Sequence, residues 1–309
     1  MAKYKSGDIL NFVLAGHGTV GKTMLAEAML FNGGEINRLG SIDGGTTVSD
    51  YHEDEIERQI SINSAILHTT WQDKKLNIID TPGYADFHGE VQSAMRVADF
   101  ALVTINTNAG IEVGTEQAWK AATDYGLPCM LAFNMLDKEN TEFDSLLAAA
   151  RKRFGSKVFP MGLPVNTGPN FTRIADILRK ELHTYQSDGS GTFTVDKLPA
   201  DLVDQVYRLH GELVELVAES DDHLLEKFFE QDQLTEDDLR GGMHGAIHNG
   251  SLIPVFPVSG EKNVGVRRMM DVISKYAPNA ADFTEVRGTS LPDGGNEVQF
   301  NAAANGPAA

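Results

Sequence analysis

The sequence predicts an α/β fold with a mostly parallel, doubly wound sheet, helices on both faces and an inserted α+β subdomain. Three observations predict it. Apolar runs typical of buried strands alternate along the chain with segments of helical spacing. A glycine-rich phosphate loop joins the first of these strands to the first helix. The chain then runs 122 positions from Asp137 to Ser259, far more than the about 30 that one βαβ unit needs.

The phosphate loop is Gly16-His17-Gly18-Thr19-Val20-Gly21-Lys22-Thr23, which matches Gly-x-x-x-x-Gly-Lys-Thr. The apolar residues 9–15 predict a buried strand before it, and Met24 opens the predicted helix 24–30. Backbone N–H groups of such a loop and of the helix N-terminus point at one place, so we expect them to hold phosphate together with the Lys22 ammonium. Thr23 is an expected magnesium ligand. A plain glycine turn explains the glycines but not Lys22 and Thr23.

The elements after the first helix are a long loop and a hairpin. Gly33-Gly34 suits the end of the helix. The polar, weakly periodic residues 35–59 predict a loop, and beside a nucleotide site such a loop is a candidate switch ordered by the terminal phosphate. A disordered surface loop is the alternative. Residues 61–68 and 75–80 predict a β-hairpin across Gln72-Asp73-Lys74.

The rest of the chain continues the alternation and then departs from it in the insertion. For the main sheet, the patterns predict helices at 87–97, 114–125, 143–154 and 264–276, and strands at 100–105, 129–134 and 253–258. In the insertion, residues 158–194 predict short strands, although residues 173–182 have helical spacing. Helices are predicted after them at 202–219, 222–231 and 237–249. The last helix is preceded by the capping pattern Thr235-Glu236-Asp237-Asp238.

These elements predict three regions. Residues 1–157 and 251–283 form the nucleotide-binding domain, and residues 158–250 form the inserted subdomain. Residues 284–309 are rich in Gly, Asn, Ala and Pro and predict a linker or the truncated start of a following domain.

Composition excludes several classes of function. The formal charge of −18 argues against sequence-independent nucleic-acid binding through a basic face. Residues 9–15 are too short to span a bilayer and no cleavable signal pattern precedes them, so we expect a cytoplasmic protein. The single cysteine, Cys129, lies in an apolar run, so we expect a buried thiol and no intrachain disulfide. Residues 212–238 hold eleven acidic residues and one basic, which predicts a solvated face or a docking face.

A second motif, Asp80-Thr81-Pro82-Gly83, follows a predicted strand. An aspartate placed there is suited to hold magnesium, directly or through water. The Gly83 amide is suited to approach the terminal phosphate, where no side chain would fit. Taken alone the tetrapeptide also suits a simple turn, whereas beside a phosphate loop it predicts the metal side of a nucleotide site.

A third motif, Asn134-Met135-Leu136-Asp137, leaves the end of another strand, on the ligand-binding edge of such a sheet. A carboxylate at the edge of a purine accepts from the ring N–H and the exocyclic amine of guanine, and adenine offers no such pair. Asp137 therefore favours GTP over ATP. A helix-start Asp or a turn Asn is the alternative, and a P-loop ATPase or small-molecule kinase would follow from it. Further nucleotide contacts are expected from Ser259, Gly260 and Glu261.

The order and strand-end placement of these motifs resemble the translational GTPases, and elongation factor G most closely. Residues 54–62, Asp-Glu-Ile-Glu-Arg-Gln-Ile-Ser-Ile, resemble the family's switch segment E-x-E-R-G-I-T-I. Residues 80–87, with Glu90-Val91 and Met95-Arg96, are similar to its second switch and helix. The insertion contains Leu234-Thr235-Glu236-Asp237-Asp238-Leu239, which looks like part of the family's extra subdomain. The resemblance covers residues 10–278.

The resemblance implies a P-loop GTPase fold that binds GTP and GDP with Mg²⁺ and hydrolyses GTP on the ribosome. It implies that Ser61 supplies a hydroxyl to magnesium where the family has threonine. Guanine is then held by Asn134, Asp137 and Ser259. The implied partner is the ribosome, through its stalk protein and through further domains absent here; we expect a monomer that contacts neither nucleic acid nor membrane directly. The residues expected to serve catalysis are Lys22, Ser61, Gly83 and Tyr84.

Four departures from the family's pattern limit what can be carried over. Tyr84 stands where the family has the histidine that positions the attacking water, and tyrosine cannot become a cation near neutral pH. Thr19 replaces an aspartate, Met135 a lysine and Gln59 a glycine. The main phosphate ligands remain, so we expect nucleotide binding with a low intrinsic rate of hydrolysis. The alternative is a GTP-regulated ribosome-binding module that is nearly inert as a catalyst. Because the chain stops where the family's second domain should begin, we expect an isolated or truncated module.

Overall fold

The computed structural model describes residues 4–231, 234–283, 285–289, 295 and 297–301. The strands are β1 (Ile9–Ala15), β2 (Ala65–Trp71), β3 (Lys74–Asp80), β4 (Phe100–Asn106), β5 (Cys129–Asn134), β6 (Val158–Pro160), β7 (Gly162–Pro164), β8 (Arg173–Asp176), β9 (Glu181–Tyr185), β10 (Phe193–Asp196), β11 (Ile253–Pro257), β12 (Glu285–Thr289) and β13 (Glu297–Asn301). The helices are α1 (Lys22–Gly33), α2 (Glu53–Arg58), α3 (His88–Met95), α4 (Val113–Asp124), α5 (Phe143–Phe154), α6 (Val203–Ala218), α7 (Asp222–Gln231), α8 (Glu236–His248) and α9 (Val266–Tyr276).

A central sheet of seven strands has the order β2-β3-β1-β4-β5-β11-β6. Only β2, paired with β3, is antiparallel; the other neighbouring strands are parallel. Helix α1 packs against α9, and α3 against α4, in the two helical layers. Because both faces are covered, β5 and β11 are buried at every position, which explains their unbroken apolar sequence. The predicted α/β fold class is confirmed.

The insertion is α+β, as predicted. Strands β10-β9-β8-β7 form a separate antiparallel sheet, and α6 packs against both α7 and α8. A buried ion pair between Arg268 of α9 and Asp176 of β8 joins this sheet to the central domain. The predicted cap of α8 is present, because the Asp238 N–H donates to the Thr235 hydroxyl and the Thr235 N–H donates to the Asp238 carboxylate.

The helical spacing over 173–182 was misleading, because this segment forms β8, a turn and β9. Ile174 and Ala175 are buried between the flanking strands, and Lys180 closes the turn with a φ of 57°. Pairing with distant strands therefore outweighs the local period. Val158–Pro160, at the predicted start of the insertion, pairs with β11 in the central sheet.

Two further predictions differ from the structure. The predicted loop 35–59 contains the short helix α2, and the hairpin strand β2 begins at Ala65 rather than at residue 61. The N–H groups of Ile62 and Asn63 donate to the Glu55 carboxylate instead of to a strand partner. Within the predicted linker 284–309, β12 and β13 form a two-stranded antiparallel ladder, and residues 284, 290–294, 296 and 302–309 lie outside the described residues. Across the described ranges, no helix is long and apolar enough to cross a membrane.

Candidate nucleotide-binding site

A cavity of about 420 Å³ lies at the carboxyl edge of the central sheet. The ends of β1, β3 and β5 and the start of α1 meet there, as the topology of parallel strands requires. Its wall is formed by Gly18, Thr19, Gly21, Lys22, Thr23, Met24, Leu39, Gly40, Ser41, Ile42, Asp43, Asp50, Gln59, Ile60, Ser61, Gly83, Tyr84, Asn134, Met135, Asp137 and Glu261. The cavity therefore brings all three sequence motifs together.

The phosphate loop curls tightly around the Lys22 side chain. Gly16 has a φ of 142°, and a Cβ atom there would lie 2.3 Å from the Thr104 carbonyl oxygen, so only glycine fits. Lys22 is 6% exposed, and its Nζ donates to the carbonyl oxygens of His17 at 2.8 Å and Gly16 at 3.3 Å. Burial lowers the pKa of Lys22 to about 8, against the opposing effect of Asp80 and Asp50.

Oxygen ligands converge beside the phosphate loop. The Thr23 hydroxyl donates to Asp80 Oδ2 at 2.9 Å and lies 3.3 Å from the Ser61 hydroxyl. Asp80 Oδ1 is buried and has no hydrogen-bond partner in the part of the chain that the structure describes. Burial raises the pKa of Asp80 to about 6, and the Lys22 ammonium opposes the rise. Two hydroxyls and a carboxylate with a free oxygen fit the hard oxygen ligands that magnesium prefers.

The base side of the cavity contains a second unpaired carboxylate oxygen. The Asp137 side chain is 2% exposed, and its Oδ1 meets no hydrogen-bond donor within the described ranges. Lys138 Nζ lies 3.4 Å from Asp137 Oδ2 and 2.6 Å from Glu261 Oε2. Lys138 therefore links Asp137 to Glu261, and no local signal in the sequence pointed to this role for Lys138.

Asn134 connects the two halves of the site. Its Nδ2 donates to the Val20 carbonyl oxygen at 2.9 Å, and its Oδ1 accepts from the Gly260 N–H at 2.9 Å. We call residues 259–264 the base loop; the N–H groups of Ser259 and Val264 each donate to the other's carbonyl oxygen, which closes it. Asn134 thus fixes the base loop relative to the phosphate loop.

Gly83 and Tyr84 lie on the phosphate side. A Cβ atom at Gly83 would lie 2.5 Å from both the His17 carbonyl oxygen and Lys22 Nζ, so a side chain is excluded. The Tyr84 ring packs over Gly18, where an added Cβ atom would lie 3.0 Å from two ring carbons, and the residue is 38% exposed. Gly83 therefore packs directly against the phosphate loop and Lys22, with the Tyr84 ring beside that loop.

Three acidic residues near the cavity were missed by sequence reasoning. Buried Glu27 accepts from the N–H groups of Gly40 and Val48, and buried Glu55 accepts from two N–H groups after α2. Asp50 lies on the cavity wall, where burial raises its pKa and a hydrogen bond from Ser61 opposes the rise. Asp50 and Glu55 lie in segment 35–63, and Glu27 accepts hydrogen bonds from the backbone of that segment. Because the segment has no periodic pattern, its sequence does not predict which carboxylates are buried.

Not every predicted contact lies on the wall itself. Most of the predicted residues do, but six are not part of it: Gly16, His17, Val20, Asp80, Ser259 and Gly260. Asp80 reaches the cavity through Thr23, and Gly260 through Asn134.

Two comparisons with known proteins agree with this geometry. Residues 7–279 match the family model described as the elongation factor Tu GTP binding domain. A solved protein from Thermus thermophilus is similar in structure, with a TM-score of 0.85 and 31% sequence identity over 91% of this chain. This chain spans 42% of the length of that protein. The chain belongs to the elongation factor Tu GTP-binding-domain family and is a translational GTPase domain of the elongation factor G type. The family binds guanine nucleotides and hydrolyses GTP.

Proposed function

We propose that the cavity binds GTP and GDP with magnesium and that the chain hydrolyses GTP in connection with the ribosome. The observation that carries this proposal is the pair of buried, unpaired carboxylate oxygens. Asp80 Oδ1 belongs to the carboxylate that accepts from the Thr23 hydroxyl, and Asp137 Oδ1 belongs to a side chain on the cavity wall. Unpaired buried carboxylate oxygens are costly, so two of them at one cavity favour a ligand that satisfies both.

The charges on the cavity wall support the need for a metal. Lys22 is its single cationic side chain among the residues described, whereas Asp43, Asp50, Asp137 and Glu261 are acidic. A polyphosphate would meet net repulsion there. Magnesium held by Thr23, Ser61 and Asp80 would neutralise phosphate oxygens. This proposal explains how an acidic cavity accepts an anionic ligand.

The chain's own groups suit phosphoryl transfer to water. Lys22 supplies positive charge where negative charge develops on the terminal phosphate, and the Gly83 N–H approaches from a side that has no room for a side chain. Water attacks the terminal phosphorus, the bond to the bridging oxygen breaks, and GDP, phosphate and a proton are released. The Tyr84 hydroxyl is the available group for orienting that water by hydrogen bonding.

Calorimetry with the chain as it stands tests the proposal. GDP with magnesium is expected to bind, ADP at the same concentration is expected to give no heat, and chelation of magnesium with EDTA is expected to weaken GDP binding. Equal affinities for GDP and ADP would favour an ATPase or kinase and would remove the proposed role of Asp137.

Replacing Tyr84 with histidine is expected to raise the single-turnover rate of GTP hydrolysis with ribosomes about tenfold or more. Histidine can orient water and become a cation near neutral pH, which tyrosine cannot do. Rates are measured with and without ribosomes, and Tyr125→His at the exposed C-terminal end of α4 is the control. Equal rates for the native chain and Tyr84→His would show that this position does not limit turnover. If both were near zero with ribosomes, the GTP-regulated binding module would be favoured.

We propose the ribosomal stalk protein as a partner of the acidic surface, defined as the exposed carboxylates of α6, α7 and α8 and of the turn between α6 and α7. These include Glu215, Glu219 and Asp222, whereas Asp238 is occupied by Lys227. Combined reversal of Glu215, Glu219 and Asp222 to lysine is expected to weaken stalk-protein binding at least tenfold at low salt, because charge complementarity is lost. Affinity is measured against Asp73→Lys on the β2–β3 turn as the control. Unchanged affinity after the triple reversal would exclude the surface.

We also propose that the protein is cytoplasmic and monomeric. We propose that its GTP-binding domain extends through Pro160 and resumes at residue 251, because β6 and β11 pair in the central sheet. Residues between these limits would form the inserted subdomain.

A further inference from the structure

A buried pair of asparagine side chains joins the base loop to the helix that carries the phosphate ligands. Asn32, near the end of α1, donates from Nδ2 to Asn263 Oδ1 at 2.7 Å. Asn263, in the base loop, donates in return from Nδ2 to Asn32 Oδ1 at 3.0 Å. Asn263 is fully buried and Asn32 is 8% exposed. Neither residue is accounted for by the nucleotide contacts described above.

The neighbours of the pair fix the orientation of both amides. The Gly189 carbonyl oxygen lies 3.1 Å from Asn263 Nδ2 and can only accept. Arg267 Nε lies 3.2 Å from Asn32 Oδ1 and can only donate. Each amide therefore has one possible orientation, and the two bonds between them are reciprocal.

Gly189 belongs to the inserted subdomain. It lies in the turn between β9 and β10, residues 186–192, which is closed by the hydrogen bond from the Gln186 N–H to the Thr192 carbonyl oxygen. The pair thus joins three segments that are distant in sequence: α1, the base loop and this subdomain turn. Because an unpaired buried amide is costly, displacement of any one segment disturbs the other two.

The base loop also touches the beginning of α1. A Cβ atom at Gly260 would lie 2.9 Å from the Leu25 nitrogen, so the loop backbone lies directly against the first turn of the helix. The Gly260 N–H donates to Asn134, which in turn donates to the phosphate loop at Val20. The loop is therefore held against α1 at two places, near Leu25 and at Asn32. A shift at Asn263 is transmitted to Gly260 and Asn134.

We propose that Asn263 is a positioning residue for guanine-nucleotide binding. The subdomain turn holds the Asn263 side chain in place through the Gly189 carbonyl oxygen, and this contact slows nucleotide release. The inference rests on the proposed function of the cavity as a guanine-nucleotide site. It assigns the inserted subdomain a part in nucleotide retention through the Gly189 carbonyl, Asn263 and Asn32.

Gly191 offers a test that leaves the nucleotide contacts in place. It has a φ of 68°, and a Cβ atom there would lie 2.5 Å from Asn263 Nδ2 and 2.7 Å from Asn32 Oδ1. Gly191→Ala is therefore expected to displace the two amide groups. Gly250→Ala is the matched control, because Gly250 has a φ of 73° and no atom within 4 Å of an added Cβ. Both variants carry similar backbone strain, and only one disturbs the pair.

The measurement is the dissociation rate of a fluorescent GDP analogue from the magnesium-loaded chain, displaced by excess GDP. The thermal midpoint of each nucleotide-free variant is measured in parallel. We expect release about fivefold or more faster from Gly191→Ala, a factor that corresponds to roughly one lost hydrogen bond, and a native rate from Gly250→Ala. A native rate from Gly191→Ala, or equal acceleration in both variants, would overturn the proposal.

Two substitutions at Asn32, which lies outside the base loop, test the effect of the asparagine pair on nucleotide release even if Gly191→Ala does not fold. Asn32→Ala removes both bonds to Asn263 and is expected to accelerate release. Asn32→Asp keeps the acceptor for Asn263 Nδ2 and for Arg267, but it sets a carboxylate oxygen against Asn263 Oδ1 in place of the donated N–H, so it is expected to accelerate release as well. The association rate of the analogue is expected to stay native in both variants, which a merely structural loss would not allow. A native release rate in Asn32→Ala would overturn the proposal. If the native chain binds no GDP analogue at all, the proposed function fails instead.

Discussion

Replacing Asp137 with asparagine is expected to weaken GDP binding about a thousandfold and to create affinity for xanthosine diphosphate. The Asp137 carboxylate is buried, with Oδ1 unpaired, so it is suited to accept from the ring N–H and the exocyclic amine of guanine. Loss of charge-assisted hydrogen bonds of about 1.5 to 3 kcal/mol each amounts to about 4 kcal/mol for the pair, which is the thousandfold factor. Xanthine has a carbonyl oxygen in place of the amine. An asparagine accepts from its ring N–H and donates to that oxygen.

Calorimetry with both diphosphates measures this exchange of specificity. Asp73→Asn is the matched control, since Asp73 lies exposed in the β2–β3 turn with a φ of 63° that asparagine tolerates. The control is expected to retain the native affinity for GDP. If Asp137→Asn bound GDP as tightly as the native chain, Asp137 would not contact the base and the choice of GTP over ATP would need another explanation.

Replacing Lys22 with methionine is expected to reduce GDP affinity by about one to two orders of magnitude, the factor that corresponds to the loss of one charged hydrogen bond of about 1.5 to 3 kcal/mol. Lys22 is the one cationic side chain on the cavity wall within the described residues, so no neighbour replaces it. The fold itself is expected to persist. Burial lowers the pKa of Lys22, so the charged form of this side chain is less stable in the nucleotide-free chain than it would be in water.

Two measurements separate lost binding from lost folding. Calorimetry reports affinity, and the thermal midpoint of nucleotide-free Lys22→Met is expected to equal or exceed that of the native chain. Lys120→Met on the surface of α4 is the control, because the Lys120 side chain is 74% exposed and forms an ion pair with Asp124, four residues further along the same helix. A Lys22→Met variant that kept native affinity would exclude Lys22 as a phosphate ligand, and a strongly lowered midpoint would assign it a structural role.

Motifs anchored at strand ends were predictable from sequence because their geometry is local. A strand, a phosphate loop and a helix follow one another within residues 9–33, so their spacing already sets the position of Lys22. Strand β5 and helix α5 were predicted with the bounds that the structure shows, since an unbroken apolar run and a clear helical period leave one interpretation. The carboxyl ends of parallel strands then had to meet at one edge.

Segments without a period were not predictable in this way. The strands β8 and β9 depend on pairing partners elsewhere in the chain, so the local spacing over 173–182 pointed to the wrong element. Glu27 and Glu55 were missed because a buried carboxylate is stabilised by backbone N–H groups of a folded loop, which composition does not reveal. The placement of Asp50 on the cavity wall depends on that same loop.

The sequence by itself determined the class of fold, the phosphate loop and the order of the nucleotide motifs, because each depends on residues close together along the chain. Only the tertiary structure decided which distant groups meet. It placed Tyr84 against Gly18, Lys138 against Glu261 and the subdomain turn against Asn263. The physical reason is that these contacts join segments whose approach is set by packing of the whole core, which no local pattern encodes.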